Sequence, residues 1–316
     1  MRRTVAALIV ALVGPFAACA PSKEPAERER EVPSNLPTAE ASATPAATSV
    51  APAVPSATSI VGSATAPTSA SAEPPASASS VTSAPRFLRD NPGCPVPEGY
   101  PAWSWKRLHR VEGLADRAVV LTLDVGAKLD NLEKVLEVLR SAGVKTTIFL
   151  YTAELARSER GRAIIETMVA DGHELANHTV SHKDLTKLEP EAVAEELDGV
   201  ERFVKSVDDR FTTHPFFREP YLATNDTIDE LVRKKCYRPI WFTVDTADWK
   251  DDATAAKIES SVFERRGKPR IIEPGSIFIF HGSQKENLVA LPRVIDRLKA
   301  DGFSFLTLGE AIRRAR

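Results

Sequence analysis

Two histidines four residues apart, His178 and His182 in the run NHTVSH, are a pair whose type and spacing could do chemistry. At that separation one helical turn or a tight loop can turn both imidazoles toward one divalent ion. Further polar signals share their setting. Asp124 closes the run AVVLTLD, Arg218 sits in REPY, Asp245 and Asp248 sit in VDTADW, and His281 ends IFIFH. Each alone has an ordinary explanation: surface decoration for the histidine pair, an N-cap for a strand-end aspartate. Their co-occurrence, each at the end of a strand-like run or in the loop after it, points to a single site.

Such residues need a frame that brings strand ends together. Ala118 to Asp124 reads as a strand, and Leu132, Val135, Leu136 and Leu139 then recur at helical spacing until Gly143. KTTIFL at 145–150 predicts the next strand. A helix over 163–170 precedes HELANH, and a long helix is expected over 190–207. The strand-like runs FFREPY, PIWFTVD, SIFIFH and SFLTL then alternate with helices near 227–235, after Trp249, and over 291–299. Six or seven strands alternating with helices imply parallel pairing through crossover helices. So many units favour an α/β barrel over a doubly wound sheet, with the site at the strand C-termini. No phosphate-cradling glycine motif follows the first strand, which argues against a dinucleotide fold.

Composition divides the 316 residues in three. Arg2 and Arg3 precede the apolar run Val5 to Val13, which is too short to span a bilayer as a helix. Ala17, Ala18 and Cys19 follow, so residues 1–19 read as an export signal. The small pair before the cysteine resembles a bacterial lipobox, although Phe16 stands where leucine is usual; ordinary cleavage near Ala18 or Ala20 is the alternative. Lipidation of Cys19 would tether the protein to a bacterial membrane in the cell envelope. Residues 20–85 are first charged and then almost wholly Ala, Pro, Ser, Thr and Val, with too little to bury to order the backbone. They are expected to form an extended spacer. Residues 86–316 hold every Trp and Tyr and are expected to fold as one domain. With 41 Lys+Arg against 43 Asp+Glu and no basic stripe, nucleic-acid binding is excluded as a function class. After export Cys94 and Cys236 would meet an oxidising compartment, where they are either bridged or buried separately.

Taken in order, the motifs resemble the polysaccharide deacetylase family, the NodB-homology domain of carbohydrate esterase family 4. The resemblance covers about residues 116–312. The family's TFDDG is matched by Thr122 to Gly126 (TLDVG), NHTxxH by Asn177 to His182, and RxPY by Arg218 to Tyr221. A motif ending in DW is matched by Asp245 to Trp249, and a strand closing in His by Phe280-His281. The resemblance implies a distorted (β/α) barrel of about seven parallel strands. It also implies a hydrolase that removes acetyl groups from N-acetylated aminosugar polymers, peptidoglycan- or chitin-like, or from other acetylated cell-envelope glycans, and that acts on carbon–nitrogen bonds other than peptide bonds; the protein is expected to be a monomer.

On that resemblance a divalent metal, zinc by preference, would sit on His178 and His182. Asp124 would be the base, with Arg218 holding it ionised. The Tyr221 amide would receive the oxyanion, and His281 would be the acid, kept charged by Asp245. Asp248 and Trp249 would line the substrate site. The chain departs from the family at Val125, where the second aspartate of TFDDG supplies the third metal ligand. Asp130 is a nearby candidate to replace it. The rival expectation is a catalytically weak, membrane-tethered carbohydrate-binding module.

Overall fold

The structure, a computed structural model, describes residues 86–100 and 103–316. The lipoprotein-type signal at 1–19, Cys19 within it, and the spacer at 20–85 lie outside the described residues. The described chain begins with an antiparallel hairpin, β1 (Phe87–Leu88) and β2 (Asn91–Pro95). Cys94 on β2 is disulfide-bonded to Cys236, 142 residues on, so the hairpin is pinned to the chain just after residue 234. Of the two states left open for these cysteines, the bridge is the one formed.

Strand and helix then alternate: β3 (Ala118–Val125), α1 (Leu129–Ala142), β4 (Thr147–Leu150), α2 (Glu159–Ala170), β5 (Glu174–Asn177) and α3 (Pro190–Val207). There follow β6 (Phe216–Phe217), α4 (Asp226–Lys234), β7 (Arg238–Pro239), β8 (Val244–Asp245) and α5 (Ala255–Phe263). A small hairpin, β9 (Glu264–Arg265) with β10 (Lys268–Pro269), leads to β11 (Ile277–His281), α6 (Asn287–Ala300), β12 (Ser304–Phe305) and α7 (Leu308–Arg314). Seven strands run parallel in the order β7-β6-β5-β4-β3-β11-β8, and β12 adds to β3. This is the curled, parallel β/α barrel that the alternation predicts.

β3 shows why the sheet curls around a core of its own. All eight of its residues are buried, as expected when helices cover one face and the barrel interior the other. Val119, Leu121, Leu123 and Val125 pack with Leu132, Leu136 and Leu139 of α1 and with Val294 and Leu298 of α6. Ala118 and Val120 turn the other way, into a cluster with Phe149, Phe216, Ile240 and Ile277. The period of two thus puts Thr122 and Asp124 on the interior side and Val125 on the helix side.

The run PIWFTVD, expected as one strand, contributes only Arg238–Pro239 and Val244–Asp245 to the sheet. Residues between them are taken up by the segment around 108–111. Leu108 bridges Ile240, Trp241 donates to Leu108 O at 2.8 Å, and Arg110 bridges Ser276. The early segment fills the gap between β7 and β11, so the intervening residues satisfy their backbone there instead. FFREPY likewise keeps only Phe216–Phe217 as strand, because the chain turns left-handed at Tyr221 and Leu222.

Candidate active site

Parallel register sets the first part of the site. Asp124 on β3 stands directly beside His281 on β11, at the C-terminal ends of neighbouring strands. Just after β6 comes Arg218, whose side chain is wholly buried. Its Nη1 donates to Asp124 Oδ1 at 2.6 Å and to Thr122 Oγ1 at 3.0 Å, and its Nε donates to Ile240 O at 3.1 Å. The guanidinium also lies over the Phe149 ring at 4.1 Å. Burial pushes the Asp124 carboxyl up, but Arg218, with His178 and His281, outweighs it and holds the group below its ordinary value. A buried carboxylate kept ionised and aimed by a fixed guanidinium can take a proton from water.

The histidine pair sits in a tight loop after β5. Asn177 is its scaffold: Nδ2 donates to Leu197 O and to the Tyr237 hydroxyl, and Oδ1 accepts from Thr179 N–H at 2.9 Å. Thr179 is left-handed at φ 73°, and its hydroxyl accepts from His182 N–H at 3.0 Å. Asn and Thr in NHTVSH therefore shape the loop, while the rings carry the chemistry. His178 Nδ1 donates to Arg218 O at 2.7 Å, which leaves the Nε2 lone pair free, 3.6 Å from Asp124 Oδ2. Burial pulls His178 down to about 4, so this ring is neutral near pH 7. His182 is likewise lowered by burial, and its ring is flanked by Tyr151 and Tyr221 at 5.0 and 4.8 Å between centroids.

The partner of His281 differs from the expectation. Asp248, not Asp245, holds it: Oδ1 accepts from His281 Nδ1 at 2.7 Å and Oδ2 from His281 N–H at 2.7 Å. Asn287 Nδ2 donates to the same Oδ2 at 2.5 Å. The Asp245 carboxylate instead accepts from Ala247 N–H at 2.8 Å, closing a local turn that throws Asp248 back beneath the histidine. Burial lowers His281, but the Asp248 hydrogen bond and charge, with Asp124, overcome it and raise the ring above its ordinary value.

A cavity of about 370 Å³ joins these groups. Asp124, His178, His182, His281 and Asp245 line it, with Tyr221 and Trp249 at its mouth, 70% and 53% exposed. Trp249 is thus a wall of the cavity rather than core packing. Asp248 is buried behind His281 and does not line it. Asp130 is also elsewhere: its carboxylate is exposed at the start of α1 and paired with Arg160 at 2.5 Å, so it is no replacement ligand. Sequence reading also missed Glu219 and Phe242, which line the cavity, and Asn287 and Tyr151, which support the histidines. Glu219 occupies the variable position of REPY, and nothing in residue type alone marks it.

The family implies a metal on the histidine pair. His178 suits it: a neutral imidazole with Nε2 free and Nδ1–H held by a carbonyl has the form of a metal ligand. A lone pair facing a carboxylate at 3.6 Å also favours a cation between them. The family's third ligand position does not fit. Val125 faces α1, and among the described residues no group of three His, Cys, Asp or Glu side chains could hold an ion.

A curled parallel barrel carrying Asp–Arg, His–x₃–His and His–Asp sets at its strand ends is the architecture of NodB-homology domains. The polysaccharide deacetylase model matches residues 112–240. A peptidoglycan-N-acetylglucosamine deacetylase of Bacillus cereus is 27% identical over 212 residues, 66% of this chain and 73% of that protein. A peptidoglycan-N-acetylmuramic acid deacetylase of Bacillus subtilis is 25% identical over 195 residues, 62% and 71% respectively. Among solved structures, a carbohydrate esterase family 4 pseudoenzyme from Bacillus anthracis superposes with a TM-score of 0.57 at 22% identity, over 66% of this chain and 70% of that one; this is a likeness of fold. Residues 112–240 match the polysaccharide deacetylase family, and the chain is similar to peptidoglycan deacetylases over about two thirds of its length.

Proposed function

We propose that the protein removes acetyl groups from peptidoglycan- or chitin-type glycans. The observation that carries this is the opposed pair in one cavity: Asp124 held below its ordinary pKa by Arg218, and His281 held above its own by Asp248. Two titratable groups pushed apart in this way can act as base and acid at the same pH. Asp124 takes the proton of the attacking water. The Tyr221 amide receives negative charge on the acetyl oxygen. His281 then gives its proton to the departing amine, and Asp248 steadies the ring through the change. Trp249 offers an apolar face to the sugar.

His178 and His182 are the side chains that would hold a divalent ion, zinc by preference. Such an ion would polarise the acetyl carbonyl and acidify bound water. Retention of both imidazoles without a third protein ligand supports weaker metal binding than a three-ligand site would give. The same departure supports a second reading, a catalytically weak glycan-binding protein. Residues 86–316 are proposed as the active domain, exported on the 1–19 signal, tethered through Cys19 and spaced from the membrane by 20–85. Acetate release from N-acetylated peptidoglycan and from chitin oligomers, with and without chelator, tests the function. No release under any metal supplement, together with retained glycan binding, would decide for the second reading.

A further inference from the structure

Glu219 is a buried carboxylate that lines the cavity yet plays no part in the steps above. Its Oε2 accepts from Trp241 Nε1 at 3.3 Å, and its Oε1 stands 2.8 Å from Arg107 Nη1. The second contact is an ion pair without hydrogen-bond alignment, and neither buried atom has any other hydrogen-bond partner. Arg107 is held in turn by Asp229 of α4 at 2.5 Å, and its guanidinium lies over the Trp241 ring at 4.8 Å. Two stretches of chain therefore meet the Glu219 carboxylate of the REPY turn, the gap-filling segment through Arg107 and the residues after β7 through Trp241, and α4 joins them through Arg107.

The backbone just after Glu219 is strained. Tyr221 (φ 57°, ψ 8°) and Leu222 (φ 56°) are consecutive non-glycine residues in the left-handed region. Side-chain-bearing residues stay there only when their surroundings hold them. Local hydrogen bonds from Leu222 N–H to Glu219 O and from Ala223 N–H to Pro220 O close the turn but leave its base to be anchored by something else. The side chain at that base is Glu219.

We infer that Glu219 is a positioning residue: clamped by Arg107 and Trp241, it holds the Pro220–Leu222 turn left-handed and so fixes the Tyr221 amide and ring over the site. Glutamate suits the task because its carboxylate, pushed up by burial, needs the Arg107 guanidinium beside it to offset that cost. A glutamine would keep the Trp241 bond and lose the pair. The kinetic consequence rests on the deacetylase reading; the conformational one does not.

The test compares the full chain with Glu219→Gln, Arg107→Ala and the double variant. Amide hydrogen exchange of residues 219–224 should quicken by about tenfold or more in each, with β3 and β11 unchanged. For acetate release, kcat should fall on the order of 10- to 100-fold, the loss expected from a misplaced group, with KM within about twofold. The double variant should be no worse than the poorer single one, because both break one contact. Should Glu219→Gln not fold, Arg107→Lys, which keeps a cation, should give exchange between wild type and Arg107→Ala. Unchanged exchange at 219–224, a loss in KM alone, or additive losses would overturn the inference. If the wild type releases no acetate, the deacetylase reading falls, while the exchange comparison still decides the clamp.

Discussion

Replacing Asp248 by asparagine tests the Asp248–His281 pairing. The change is isosteric, but a carboxylate that accepts from three donors becomes an amide with one acceptor atom. At least one of His281 N–H, His281 Nδ1–H and Asn287 Nδ2–H then faces another donor, and a buried unpaired donor costs about 1–3 kcal/mol. The charge-assisted bond to the imidazolium contributes about a further 1.5–3 kcal/mol. These two parts separate by pH. The folded value of His281 lies above its ordinary one, so the charged pair stabilises the fold below about pH 6.5 and is lost as pH rises through the raised value. Urea unfolding should therefore show a loss of roughly 3–5 kcal/mol at pH 6, shrinking to roughly 1–3 kcal/mol at pH 9. In kinetics, the high-pH limb of kcat/KM should move to lower pH, since His281 must be protonated to act as the acid. Asp245→Asn, which disturbs the one hydrogen bond to Ala247 N–H at the cavity's edge, is the comparison. If Asp245→Asn shifts that limb more than Asp248→Asn, and Asp248→Asn costs the same at both pH values, the assignment is wrong.

Three other perturbations follow from the same geometry. Val125→Asp puts a carboxylate among Leu132 and the α1 face, where Val125 is fully buried; it should cost about 3 kcal/mol or more by urea titration and leave zinc content unchanged, contrary to simple restoration of a ligand, and uptake of a stoichiometric ion would refute this. His173 is buried with Nδ1 accepting from Thr146 N–H and its pKa pulled down to about 4, so stability present above about pH 6.5 should drain away toward pH 4; His173→Gln should flatten that slope by about 3 kcal/mol across the window, measured by denaturant midpoints. Reducing the Cys94–Cys236 bridge, which closes a loop 142 residues long, should cost about 5 kcal/mol in the chain-entropy account; a denaturant midpoint unmoved by dithiothreitol would contradict it.

The alternation of apolar runs with 3.6-period helices was enough to read a parallel β/α barrel, because burial on both faces of β3 and on one stripe of α1 is written in residue type. Asp124, Arg218, His178, His182 and His281 were legible for a related reason. Strand C-termini in such a barrel converge, so polar residues that end successive strands must meet. Short-range geometry was equally readable where glycine was required, as at Gly143, left-handed at φ 64° to end α1.

What the linear pattern could not settle was which of several similar groups reaches a given atom. Asp245 and Asp248 are three residues apart and chemically alike. Only the turn closed by Asp245 on Ala247 N–H sends Asp248 under His281. Val125 and Asp124 are neighbours in the chain, yet the strand's period of two sends one to the helices and the other to the cavity. Asp130 lies close in sequence but was claimed by Arg160, 30 residues away. The Arg107–Glu219 contact joins groups 112 residues apart. Local periodicity and the positions of strand ends were enough for the architecture and for the strand-end groups Asp124, Arg218, His178, His182 and His281. The tertiary structure alone decided their pairings, because a hydrogen bond or ion pair is chosen by distances of a few ångströms between segments whose separation along the chain carries no such information.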